Sequence, residues 1–294
     1  MRSLFKMTLV TLTIFCNQLP GNGGQARDLT IVFTPDKAPF VSQDGDSGME
    51  VSIVREALAT AGYTVKTHPI TDYRLEDVLK LQFIDGVAGV SRLRQYPSGT
   101  LENNSIFFSD EYIEYQDYAI TLTSAHIALE SVSDLKGHTV VAFNNARVHL
   151  GPDYADIVDS MGHAPDGTEM YIETNRKSTN LMFWRHRAEI LIADRTIFSW
   201  YRKELASVVD TSPSVTFHRI FPNHVFRTVV FKDPLVRDDF NRGLRQLCDR
   251  GRYYQIYDDA TRMAEFAFGD VPVPFASDVC KKLGSAGISP HGGE

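Results

Sequence analysis

Only three cysteines stand among 294 residues, too few for a fold built on disulfides or for a structural site of four thiolates. No CxxC, HExxH, GxSxG or P-loop pattern occurs, and the nine histidines show no metal-ligand spacing. The sequence therefore points to no metal and no cofactor. A basic surplus is missing as well. Lys and Arg number 30 against 37 Asp and Glu, a formal net charge of -7, which speaks against a nucleic-acid partner. Beyond the first residues, no run approaches the ~20 apolar residues of a membrane-spanning helix. Internal repeats and low-complexity tracts are absent.

What is present is ordinary for a globular chain: 43% hydrophobic and 23% charged residues. At ~100–200 residues per domain, the length allows one or two domains. The first 26 residues read as a signal peptide. Arg2 and Lys6 form a basic start, Met7–Cys16 is an apolar core, and Gly24, Gln25 and Ala26 make a small-x-small cleavage site. Cleavage near Ala26 implies a periplasmic protein. Lipidation at Cys16 is the weaker alternative, because the bulky Phe15 fits a lipobox poorly. Cys248 and Cys280 then remain in an oxidising compartment, which permits one disulfide without requiring it.

Strand and helix signals alternate along the chain. The spacing predicts strands at 28–34, 63–68 and 86–90, with an amphipathic helix over 49–62 and another over 75–81. After residue 118 the alternation resumes. Strands are expected at 139–143, 170–173 and 189–192, with helical segments between them and one following to Leu205. Val215–Ile220 and Phe226–Phe231 read as further strands. Asp233–Pro234 opens a helix that Gly251 ends. Such alternation implies βαβ units and largely parallel sheets. Beyond Phe268, Pro, Gly and Ser accumulate, and Ser285–Glu294 reads as disordered.

The stretch from Ile106 to Leu150 is the most informative. FSDEY, then an extended segment, then SDLKGHTVVAF resembles the middle of the family 3 bacterial extracellular solute-binding proteins. The ending DPLVRDDFNRGLRQLCDRGRYYQIYDD resembles their helix, glycine turn and aromatic-rich helix. The resemblance runs from about Asp28 to Tyr257. It implies an α/β type 2 periplasmic-binding fold: two lobes, each a mostly parallel sheet flanked by helices, joined by two crossover hinge strands. Lobe 1 would be 27–118 plus 227–268, lobe 2 119–226, and 269–294 a partly disordered tail. It further implies a monomer that closes on a small polar or anionic, amino-acid-like solute. Its partner would be the membrane permease of an ABC importer, or a sensor protein. A cyclohexadienyl-dehydratase-like enzyme on the same fold is the alternative, with Glu50, Glu173 and His149 as possible proton donors.

The same resemblance nominates ligand-binding residues, each with a plainer reading beside it. Phe40 and Tyr73 could be aromatic walls of the cleft, or core aromatics capping the sheet. Ser91 stands where the family places a ligand-contacting hydroxyl. Arg92 and Arg94 compete for the position of a carboxylate-gripping guanidinium, whose planar fork matches a carboxylate. Arg74 is a further cation at the same edge. Asn144, Asn145 and Arg147 occupy the family's ligand-contacting turn, although Asn at a helix start is also an ordinary cap. Asp194 ends the apolar run EILIA at the sheet edge where open α/β folds bind ligands. It could pair with a ligand ammonium, cap the next helix, or be neutralised by Arg195.

Overall fold

A computed structural model describes residues 27–71, 74–91, 106–221, 225–262 and 278–286. The expected signal peptide, Tyr73, Arg92 and Arg94 lie outside these residues, as does most of the expected disordered tail.

The first sheet is built from β1 (Arg27–Phe33), β2 (Tyr63–Pro69), β3 (Gly86–Val90), β4 (Phe107–Phe108), β5 (Ile113–Tyr115) and β11 (Val225–Phe231). Its order is β2-β1-β3-β11-β4, with β5 pairing β11. Helices α1 (Met49–Ala59) and α2 (Leu75–Lys80) connect its parallel strands. The second sheet runs β10-β6-β9-β7-β8, from β6 (Asp117–Leu122), β7 (Val140–Phe143), β8 (Tyr171–Thr174), β9 (Ile190–Asp194) and β10 (Val215–His218). Helices α3 (Ala146–Leu150), α4 (Pro152–Asp159), α5 (Arg176–Trp184) and α6 (Arg195–Glu204) flank it.

Each sheet is parallel where βαβ units build it, at β2-β1-β3 and at β8-β7-β9. The strands that carry the chain between sheets enter antiparallel, β11 against β3 and β6 against β9. A chain returning from the other sheet runs opposite to the strands that left. The sheets are therefore mixed. The two passages lie side by side: β5 pairs antiparallel with β11, Tyr115 opposite Val225 and Ile113 opposite Arg227.

The helical stretch after residue 146, in which Gly151–Pro152 is a natural interruption, divides at Gly151, whose φ of 95° breaks the helix before Pro152 starts α4. At the C-terminus, α7 (Pro234–Asp249) and α8 (Arg252–Arg262) turn about Gly251 and pack against α1. A methyl group at Gly243 would run into the Ala57 carbonyl, so glycine there permits the close approach of α7 to α1. The tail contains a helix with no sequence signal, α9 (Val279–Ala286). It is held by the Cys248–Cys280 disulfide to α7 and by the fully buried Val279.

Candidate functional site

The loop after β1 and the passage strand β5 meet at Tyr115. Lys37 and Val41 form a bridge across a tight turn containing the cis Ala38–Pro39 bond. The turn presses onto the start of α1, where Met49 and Glu50 donate their N–H groups to Pro39 and Phe40 carbonyls. Phe40 stacks on Tyr115 at 4.3 Å between ring centroids. Glu50 is fully buried and accepts from Lys37 Nζ at 3.0 Å, Tyr112 at 2.5 Å and Tyr115 at 3.2 Å. Burial lowers the Lys37 ammonium's pKa, with the Glu50 charge opposing that shift. Gly89, at φ 76°, lets the end of β3 approach Glu50 and donate to the Tyr112 hydroxyl.

From the second sheet comes an acidic edge. Asp117 begins β6 directly opposite Asp194 at the end of β9. Asp194 is 3% exposed and accepts backbone N–H groups from Thr196, Ile197 and Gln116, which fixes the start of α6 against the passage. Burial raises its pKa, and those hydrogen bonds work against the rise. The Asp117 side chain has no hydrogen bond among the described residues. Burial first, then the charge of Asp194, pushes its pKa from 3.8 to about 7, with Arg227 and Arg176 opposing.

Two arginines face this edge. Arg227, on the returning strand β11, is only 8% exposed and lies 5.8 Å from the Tyr115 ring centroid. Arg176 opens α5, lies 5.2 Å from the Phe143 ring centroid, and donates to the Asp36 carbonyl at 3.3 Å. Both act electrostatically on Lys37, Tyr115 and Asp117. Neither forms an ion pair among the described residues. Tyr201 of α6 also donates to Asp36 Oδ1 at 2.8 Å, a second contact from the second lobe to the first-lobe loop.

The residues nominated from sequence fall in different places. Phe40 is 1% exposed and packed in the core against Tyr115. Arg74 is exposed, its side chain 71% accessible and paired with Glu76 at 2.6 Å. Ser91 follows β3 at the first-lobe edge. Asn144 and Asn145 are exposed, Asn145 at φ 64°. The N–H groups of Asn145 and Arg147 both donate to the carboxylate of Glu173. The Arg147 guanidinium is engaged by Asp159 at 2.8 Å and Glu173 at 3.7 Å, over the Tyr171 ring. The chain thus supplies its own anion to the turn where a ligand anion was expected. Asp117, Arg176 and Arg227 were not singled out. The available signal was a lone charge at the mouth of each apolar strand, DYAITL and FRTVVF, and a cation following the Asn175 cap.

No family model matches the sequence, and no curated protein is significantly similar to it. Solved structures do match. A histidine kinase sensor domain with similarity to periplasmic binding proteins has a TM-score of 0.60 at 15% identity, covering 80% of this chain and 96% of its own. A substrate-binding protein of an ABC uptake transporter from Streptococcus pneumoniae, solved with bound histidine, gives 0.57 at 18%, covering 84% and 95%. The ancestral amino-acid-binding protein described as a precursor of cyclohexadienyl dehydratase gives 0.57 at 18%, covering 79% and 95%. These likenesses establish the fold: the chain has the two-lobed α/β architecture of type 2 periplasmic binding proteins.

Proposed function

We infer that this protein binds a small charged, amino-acid-like solute between its lobes and presents it to a membrane partner, the permease of an ABC importer. The observation that carries the reading is the unpaired charge at the junction of the lobes. Asp117, Arg176 and Arg227 face one region without pairing among the described residues. Buried charges are ordinarily paired, so the buried Arg227, near the half-buried Asp117 and Arg176, suits a ligand that supplies the partners. The lobe-to-lobe contacts through Asp36 support closure around that ligand. A thermal-shift screen over amino acids, carboxylates and amines tests it, followed by solution scattering with the best hit. A hit at ~100 times its dissociation constant adds ~2.7 kcal/mol of stability and compacts the protein. If no compound shifts the melting temperature, the reading fails.

Two alternatives have specific support. The likeness to a sensor domain suits a chain that presents ligand to a signalling protein; no described helix is long and apolar enough to cross a membrane. Copurification with a permease or with a kinase separates these partners. The dehydratase reading draws on Asp117, a cleft carboxyl held near neutrality and so suited to proton transfer. Of the proton donors suggested by sequence, Glu50 and Glu173 are committed to local hydrogen bonds. Turnover of prephenate or arogenate would establish the enzyme reading, and its absence would leave binding.

A further inference from the structure

Three charged groups gather at the junction of the lobes, and their positions in the fold suggest what they bind. Arg227 sits on β11, where that strand pairs with β5, and Asp117 begins the strand that leaves β5 for the second sheet. Both therefore belong to the passage between lobes, while Arg176 reaches in from α5. Each arginine is near enough to hold down the Asp117 pKa, yet no nitrogen of either forms an ion pair with it. A direct salt bridge would close the gap and leave nothing for a ligand. Instead a half-buried acid and two guanidiniums form no ion pair with one another, Arg227 lying by the Tyr115 ring and Arg176 by the Phe143 ring.

A molecule carrying both signs of charge would complete all three groups at once. Resting on the solute-binding reading above, we propose that the passage strands read the ligand's charged ends. Arg227, with Arg176 across from it, holds a carboxylate, and Asp117 holds an ammonium. Asp194 would not be the ammonium's partner, because its oxygens already accept three backbone N–H groups. Nor would the turn at Asn145 be the carboxylate's, because Glu173 occupies it. Placing the contacts on the passage would couple ligand charge directly to the segments that move on closure.

The test begins with the wild-type protein and two sets of probes: the common L-amino acids, and plain mono- and dicarboxylates without an amino group. Calorimetry then compares the best binder on wild type, Arg227→Lys, Arg176→Gln, Asp117→Asn and Asp194→Asn. The expected result is an amino acid as best binder, weakened roughly 30-fold or more by Arg227→Lys and by Asp117→Asn. Arg227→Lys keeps a cation beside Tyr115 but loses the planar fork, so a merely structural Arg227 would tolerate it. Ligand-free melting provides the second readout: Arg227→Met should melt no lower than wild type, because it removes a buried charge that forms no ion pair among the described residues. A lowered melting point together with unchanged affinity in Arg227→Lys would show a structural role and overturn the assignment. A plain carboxylate that binds as tightly as its amino counterpart, or wild-type affinity in Asp117→Asn, would overturn the ammonium half. If amino acids bind but the passage variants match wild type, this assignment falls and the solute-binding reading stands. If neither set binds wild type, both fall.

Discussion

Asp117→Asn isolates the electrostatic cost of this site from its packing, since the two side chains are nearly the same shape. In the folded protein Asp117 titrates at about 7 rather than 3.8, because burial and Asp194 disfavour its charge more than Arg227 and Arg176 favour it. The folded state therefore holds the Asp117 proton more tightly than the unfolded chain does. Below 3.8 both states are protonated and the full stability is present. Between 3.8 and about 7 the unfolded chain alone ionises, and stability falls as pH rises. At about 1.4 kcal/mol per tenfold in affinity for the proton, the loss amounts to ~2–4 kcal/mol by pH 8.

Asparagine carries no such penalty at any pH. Wild type and variant should therefore unfold alike near pH 4, and the variant should become the more stable by ~2–4 kcal/mol at pH 8. Urea unfolding followed by circular dichroism at several pH values measures the difference. Asp194 titrates in both proteins, so most of its contribution cancels. A constant difference between the two proteins from pH 4 to pH 8 would refute the reasoning, because it would mean that Asp117 titrates normally.

Three further outcomes follow from individual contacts. Glu50→Gln strips the buried Lys37 of its counter-charge and should cost ~3–5 kcal/mol in urea unfolding near neutrality. Because the Lys37 pKa is already lowered, that cost should shrink as pH rises towards 10.5 and the ammonium sheds its proton; a pH-independent cost would refute the ion-pair account. Replacing Cys248 and Cys280 by serine releases a crosslink of sequence separation 32 and should lower stability by ~2–4 kcal/mol, with α9 losing amide-exchange protection before α7 does. Tyr201→Phe removes a hydrogen bond from the second lobe to Asp36 and should weaken the closed arrangement by ~0.5–1.5 kcal/mol, seen as lower ligand affinity without loss of fold.

Much of the fold was legible because its signals are local. The run DLTIVF, the helix over Met49–Ala59 and the buried ILIAD each announce themselves by composition and period, and their alternation implies βαβ units. The antiparallel entry of β11 and β6 was not legible, since it depends on where the chain returns. Nor was α9, whose eight residues are held by a disulfide and one buried valine rather than by a helical pattern.

The candidate site was harder to read for a related reason, and the reason bears on where the ligand contacts fall. The residues that sequence singles out most readily, Asp194 after a strand and Asn145 before a helix, stand at positions with strong local hydrogen-bonding chemistry. Such chemistry is satisfied from within the chain. Asp194 caps α6 and takes a third N–H group from Gln116, and Glu173 fills the turn at Asn145. Arg147 likewise finds Asp159 on α4. Polar groups that close their own hydrogen bonds offer little to a ligand, because displacing those bonds costs what the new contacts would contribute. Among the described residues, Arg227 and Asp117 form no side-chain hydrogen bond or ion pair, and Arg176 bonds to the Asp36 carbonyl rather than to an acid. Their neighbours are brought together from β11, α5 and β6 only when both sheets have formed, and folding leaves their charges apart. What makes them difficult to find in the sequence is therefore the same feature that supports the proposed ligand contacts.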